Sequence, residues 1–152
     1  MPPLSTLDHG SCRERPADGA YLPDNPRVGA VLMVEGEPDI ARMLQHVFHR
    51  AHLSVATAPD GCEAVRIFAE NPESYSLLFV DCHLTDMDGA DLCRRLRAIS
   101  PGLPVLLVSG TDRRSACAQL EAGGPTVFMR KPYLPVELAW QARSLIQARP
   151  AA

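Results

Sequence analysis

Leu77-Leu78-Phe79-Val80-Asp81 is a run of four apolar residues that stops on a carboxylate. The run does not alternate apolar with polar, so both of its faces need cover, as in a strand of a parallel sheet with helices on either side. Four more short apolar runs, at 30–34, 53–57, 105–108 and 126–129, surround it in the chain. Between them lie helical patterns. Strand and helix signals alternate five times, which predicts an α/β fold built on a parallel sheet.

The first helix is the clearest. Ile40, Met43, Leu44, Val47, Phe48 and Ala51 recur at i, i+3, i+4, i+7, i+8 and i+11, one apolar face of a helix, with Pro38 suited to its first turn. Asp60 can cap a second helix ending near Asn71-Pro72, and Asp88 a third ending before Ser100-Pro101-Gly102. Thr111 or Asp112 is the expected cap of a fourth that ends at Gly123-Gly124. A fifth runs from Pro135 to about Arg149; its cap position, Leu134, has no side-chain acceptor, so its start is the weakest of the five.

The chain has 152 residues, a length that suggests one domain, and 46% of them are hydrophobic, enough for a real core. Fifteen Lys and Arg stand against eighteen Asp and Glu, a net charge of −3 with the signs interspersed, which is not the footprint of a nucleic-acid or anionic-membrane binder. No apolar run approaches the ~20 residues of a membrane span, and Met1-Pro2-Pro3-Leu4-Ser5 lacks the layout of a secretory signal. A cytoplasmic protein is expected. Residues 1–28 hold five of the fourteen prolines and no periodic apolar pattern, so they read as a flexible tail before a domain at 29–149.

The five cysteines, Cys12, Cys62, Cys82, Cys93 and Cys117, are odd in number and form no C-x-x-C pair, which argues against a disulfide framework or zinc knuckle. They read as reduced, mostly core residues. His46, His49 and His52 have no carboxylate or cysteine at metal-ligand spacing and read as a solvated helix face.

In an open parallel sheet, ligands bind beyond the carboxyl ends of the strands, where the strand order reverses. The residues there are Glu35-Gly36-Glu37 after the first strand, Asp81 after the third, Ser109-Gly110 after the fourth and Lys131-Pro132 after the fifth. A carboxylate, a hydroxyl and an ammonium arriving from separate strand ends suit a phosphoryl group: nucleophile, hydrogen-bond donor and point charge.

With these residues in place, the stretch 29–149 resembles the receiver domain of two-component response regulators, most closely those attached to hybrid sensor kinases. Val34-Glu35-Gly36-Glu37-Pro38 stands where that family carries an acidic pair followed by Glu-Pro. Leu78-Phe79-Val80-Asp81 matches the phosphoacceptor strand and Met87-Asp88-Gly89 the turn after it. Val105-Leu106-Leu107-Val108-Ser109-Gly110 matches the strand ending in a hydroxyl, and Phe128-Met129-Arg130-Lys131-Pro132-Tyr133 the lysine strand.

The resemblance implies a doubly wound, flavodoxin-like sheet of order 2-1-3-4-5. It implies that Asp81 takes a phosphoryl group from the phosphohistidine of a sensor histidine kinase or phosphotransfer protein. Ser109 and Lys131 would hold the phosphoryl oxygens, and Phe128 would be the switch aromatic. Mg²⁺ would be held by Glu35, Asp81 and the backbone carbonyl of His83, and a downstream protein would read the result. Lys131 is expected near Asp81 or Glu35, since two carboxylates sharing a cleft need a positive group between them. The Lys131–Pro132 peptide is expected cis, in the one class of bond where cis costs as little as ~0.5–1 kcal/mol.

One departure stands out. The acidic pair is here Glu35-Gly36, so the second acid has no side chain. Water can fill its place on magnesium, which keeps several waters in any case, but water brings no charge. At an effective dielectric of about 20, one unit pair at 4 Å is worth ~4 kcal/mol, so metal binding should be weakened. Glu37, pinned by Pro38, is expected to point outward, and Thr85, where the family often has proline, is a milder change.

Three readings follow. A working phosphoacceptor with weakened metal binding rests on Asp81, Ser109 and Lys131. A pseudo-receiver, a protein-interaction module independent of phosphate, rests on Gly36. An enzyme reading takes Asp81-Cys82-His83-Leu84-Thr85 as a dehalogenase-like nucleophile loop, but that family places a second Asp where His83 stands and its nucleophile after the first strand. With the sequence ending at Ala152, output is expected through protein contacts. Val136 and Trp140 lie off the core stripe of the fifth helix, Leu138, Ala142, Leu145 and Ile146, and with Arg113 and Arg114 are the expected partner or homodimer face.

Overall fold

The computed structural model describes residues 29–149; the expected tail, 1–28, lies outside them, as does Cys12. The five apolar runs become β1 (Ala30–Val34), β2 (Val55–Ala58), β3 (Tyr75–Asp81), β4 (Val105–Ser109) and β5 (Thr126–Arg130). They pair in parallel in the order β2-β1-β3-β4-β5. The expected topology is the one observed.

Alternation of side chains along each strand divides the core into two layers. Leu32 and Val34 of β1, Leu78 and Val80 of β3, and Leu107 of β4 face α2 (Gly61–Glu70), α3 (Gly89–Ile99) and α4 (Arg114–Leu120). Val31, Met33, Leu77, Phe79 and Val108 face α1 (Pro38–Arg50) and α5 (Pro135–Ala148). Phe48 of α1 meets Phe79 of β3 edge to face at 5.6 Å, a contact worth about 0.5–1.5 kcal/mol beyond its buried area. It fixes α1, and the loop before it, over the central strand.

Asp60 and Asp88 cap α2 and α3 as expected, accepting from the backbone N–H groups of Glu63 and Ala90. Leu134 starts α5 with no side-chain cap, also as expected. Several boundaries differ, among them the start of β3, which reaches back to Tyr75. The fourth helix begins at Arg114, not at a cap on Thr111 or Asp112, because the Asp112 carboxylate turns onto the Arg114 guanidinium and N–H while the Thr111 N–H donates to Ser109. It ends at Leu120, and a 3₁₀ turn over 121–123 carries the chain to Gly124. The second strand begins at Val55, not Leu53, because the Leu53 N–H closes on the Phe48 carbonyl at the end of α1.

Cys82, Cys93 and Cys117 are buried free thiols and Cys62 is an exposed one. His46 and His52 are exposed and His49 is partly buried. Among the described residues no helix is long and apolar enough to cross a membrane.

Candidate functional site

Register brings the strand ends together. Val34, Val80, Leu107 and Phe128 pair across β1, β3, β4 and β5 in one row. The next residues, Glu35 and Asp81, therefore leave the sheet side by side, and Ser109 and Lys131 follow from β4 and β5, joined by a bond from the Lys131 N–H to the Ser109 carbonyl. Gly89 lets α3 begin directly behind this edge: a Cβ there would lie 2.8 Å from the Cys82 Cα.

Within the site, Lys131 Nζ donates to Asp81 Oδ2 at 2.7 Å, and the Lys131–Pro132 peptide is cis. The other oxygen, Oδ1, accepts from the His83 N–H at 2.9 Å. Asp81 is buried, while a third of the Lys131 side chain is exposed. Ser109 is fully buried; its Oγ accepts from the Thr111 N–H at 3.1 Å and lies 3.2 Å from both Thr111 Oγ1 and His83 Nε2. The sequence thus pointed to Asp81, Ser109 and Lys131, and the fold brings them to one edge.

Glu35 is buried beside them. Its Oε2 accepts from the Glu37 N–H at 3.1 Å, and its Oε1 is buried without a partner. Burial, and then the negative charge of Asp81, push its carboxyl above the usual range, against the Glu37 N–H and the Lys131 ammonium. Tyr133 feels the same field: burial, then Glu35 and Asp81, push its hydroxyl up to about 12. Glu37 itself is exposed, as expected.

The donor set fits a small hard cation, with one ligand fewer than an acidic pair supplies. An orphaned buried carboxylate oxygen, Glu35 Oε1, is an acceptor that such an ion would satisfy, and Asp81 stands next to it. Gly36 adds no oxygen. Among the described residues no three His, Cys, Asp or Glu side chains converge on one point. The pocket beside Glu35 and Gly36 is lined by Ala41, Arg42, Thr57 and Pro59, without a further acid.

The loop after β3 is braced from two sides. Both oxygens of Asp86 accept from the start of α2, from the N–H groups of Gly61 and Cys62, and those bonds hold its carboxyl below the ordinary value. Arg113 pairs with Asp88 at 2.7 Å. Arg113 is therefore engaged at the third helix, and Arg114 with Asp112; neither lines the groove beside Val136 and Trp140. The arginine in that groove is Arg130, together with Met129 and Tyr133. Val136 and Trp140 are 70% and 65% exposed, off the buried stripe of α5. Phe128 is partly buried and packs toward α4.

Sequence reasoning missed the His83 ring and Thr111. Only their positions in the chain were readable; which way a loop side chain turns depends on the backbone around it, and no periodicity reports that.

The family model of the response regulator receiver domain matches residues 31–143. The chain is similar to the probable transcriptional regulatory protein TcrX of Mycobacterium tuberculosis, 33% identical over 118 residues that make up 77% of this chain and 49% of that protein. It is similar to the DNA-binding response regulator MtrA of Mycolicibacterium smegmatis, 34% identical over 77% of this chain and 50% of that one. The chain thus spans about half the length of these curated relatives. A receiver domain protein of Clostridium thermocellum superposes with a TM-score of 0.72 at 23% identity, over 78% of this chain and 94% of its own. The signal receiver domain of a histidine kinase from Syntrophus aciditrophicus superposes at 0.68 with 30% identity, over 82% and 94%.

Proposed function

The chain belongs to the response regulator receiver domain family of two-component signal transduction, and on that footing we propose that residues 29–149 form a working phosphoacceptor. Asp81 is the acceptor: its carboxylate oxygen attacks the phosphorus of a phosphohistidine, the P–N bond breaks, and the imidazole nitrogen leaves with the electron pair. Phosphoryl transfer asks mainly for position and charge neutralisation. The observation that carries this reading is the Lys131 ammonium 2.7 Å from Asp81 Oδ2, with the Ser109 hydroxyl at the adjacent strand end.

Glu35, Asp81 and the His83 carbonyl would hold Mg²⁺, which neutralises phosphoryl charge when bound; Gly36 weakens that binding. Phe128 is the residue proposed to report phosphorylation toward α4 and β5. The partners on this reading are a sensor histidine kinase or phosphotransfer protein and a downstream protein, with the domain itself acting in the cytoplasm without touching nucleic acid or membrane. The exposed Val136 and Trp140, with Arg130 beside them in the groove and Arg113 and Arg114 at the start of the neighbouring fourth helix, form its docking or homodimer face.

A specific feature favours a second reading. Gly36 leaves Glu35 Oε1 without a fellow ligand, which suits a pseudo-receiver that binds its partner without phosphate. Incubation with acetyl phosphate and Mg²⁺ or Mn²⁺, followed by intact mass measurement, separates the two. One phosphoryl adduct, lost in Asp81→Asn, is the expected result; a protein that stays unmodified is a pseudo-receiver.

A further inference from the structure

We propose that His83 is a positioning residue that turns the Ser109 hydroxyl into an obligate hydrogen-bond donor toward a phosphoryl group on Asp81. The inference rests on Asp81 being the phosphoacceptor and deepens that reading. Its basis is a count of lone pairs. A serine hydroxyl has one proton to donate and two lone pairs to accept with. Ser109 is fully buried, so no bulk water reaches it. One lone pair takes the Thr111 N–H at 3.1 Å. The second faces His83 Nε2 at 3.2 Å, and in the tautomer that carries its proton on Nε2, the imidazole fills it.

With both lone pairs occupied, the hydroxyl has only its proton left to use. In that tautomer the acceptor within reach in this structure is Thr111 Oγ1, at 3.2 Å and two residues away. The other acceptor this site would offer is a phosphoryl oxygen on Asp81. Asp81 and His83 are two residues apart, and the His83 N–H already donates to Asp81 Oδ1 at 2.9 Å. One residue thus anchors the acceptor carboxylate through its main chain and orients the neighbouring hydroxyl through its ring.

The braces on the loop serve this geometry. Asp86 on the start of α2 and Asp88 on Arg113 fix the chain on either side of Met87, just beyond His83. His83 itself is exposed, so its ring can be changed without opening the core. The main-chain bond to Asp81 survives any substitution that keeps the N–H.

When acetyl phosphate is the donor, an Asp81 carboxylate oxygen attacks phosphorus, the bond from phosphorus to the acetyl oxygen breaks, and acetate leaves with the electron pair. A correctly aimed Ser109 proton meets the charge on the transferred oxygens. The test is the rate of Asp81 labelling by acetyl phosphate at fixed Mg²⁺, followed by intact mass, in the wild type, His83→Ala, His83→Gln, Ser109→Ala and the Ser109→Ala/His83→Ala double variant. His83→Ala is expected to slow labelling about tenfold, the scale of one hydrogen bond to a charged group. His83→Gln, whose amide can donate to the same oxygen, is expected to recover most of the rate.

The double variant decides between positioning and mere packing. If His83 acts through the hydroxyl, Ser109→Ala and the double variant label at the same rate. A His83→Ala effect equally large without the hydroxyl, or no effect in the wild-type background while Asp81→Asn still abolishes labelling, overturns the role of His83 and leaves Asp81 as acceptor. A wild type that takes no label, or a label that survives Asp81→Asn, overturns the phosphoacceptor reading and this proposal with it.

Discussion

Two cationic side chains are held at opposite ends of the same sheet, and they are held differently. Arg97 of α3 lies at the amino-terminal edge, buried, with no carboxylate: its Nε donates to the Leu103 carbonyl at 2.9 Å, one terminal nitrogen to Leu120 at 2.5 Å, and the other to the Pro125 carbonyl and Thr126 Oγ1 at 2.8 and 2.9 Å. Lys131 lies at the carboxyl edge, a third exposed, with one bond to one carboxylate. Arg97 is satisfied by four neutral dipoles from three segments. The Pro125 carbonyl also accepts from the Val105 N–H and the Thr126 hydroxyl also donates to Gly124, so moving the guanidinium takes the donor chiefly from the Leu103 and Leu120 carbonyls. Lys131 shares a single ion pair with Asp81, the proposed phosphoacceptor, and on that reading it would follow the new oxygens. A buried charge with many neutral partners holds a fold; a partly exposed charge with one ionic partner is free to serve the proposed site.

The contrast can be broken by removing each cation in turn. Arg97→Ala takes the side-chain donor from the buried Leu103 and Leu120 carbonyls and empties the space the guanidinium fills beside Gly123 and Gly124, and should lower stability by on the order of 3–5 kcal/mol, read as a drop in the urea midpoint. Lys131→Ala should cost less, on the order of 1–2 kcal/mol, since the ammonium is partly solvated although the Asp81 carboxylate it leaves is buried. Its effect should appear instead in acetyl phosphate labelling of Asp81, slowed by tenfold or more. The contrast fails if the lysine variant unfolds as readily as the arginine variant, or if it labels at the wild-type rate.

The two edges also differ in how far the sequence disclosed them. Asp81, Ser109 and Lys131 were legible because each closes or follows an apolar strand, and a buried strand on both faces leaves only its ends free to be polar. Arg97 was not. It sits on the core stripe of α3 with Leu92, Cys93 and Leu96, but its charge reads as solvated surface. The available signal was Gly123-Gly124, whose missing side chains leave the room that the guanidinium fills. Likewise the start of the fourth helix was misplaced because Asp112 had a nearer partner in Arg114 than the expected cap. Sheet order, helix count and strand ends follow from burial pattern; side-chain partners in loops follow from the folded backbone.

A smaller effect sharpens the account of the active edge. A Cβ on Gly36 would meet only the Pro59 carbonyl, at 3.4 Å, so an aspartate can be placed there with little disturbance. Gly36→Asp should tighten Mg²⁺ binding several-fold or more, because one carboxylate at 4 Å from a unit charge is worth ~4 kcal/mol before relaxation at an effective dielectric of about 20. Titration calorimetry with MgCl₂ reads it directly. An unchanged affinity would mean that the missing acid is not what limits the metal site.

The smallest stability effect belongs to Trp140, and for that reason it discriminates well. An aromatic side chain truncated in the core costs about 3–5 kcal/mol, whereas one at the surface changes stability by no more than ~0.5 kcal/mol. Trp140 is 65% exposed and lies one turn from Val136, which is 70% exposed, so Trp140→Ala belongs to the second class. Yet Trp and Arg are favoured interface anchors, and Arg130 shares the groove with both residues. If this face is where a second copy docks, sedimentation velocity of Trp140→Ala should show self-association weakened about tenfold or more, the scale of an anchor residue. The urea midpoint should stay where it was. Unchanged self-association together with a marked loss of stability would assign the indole to packing over α5.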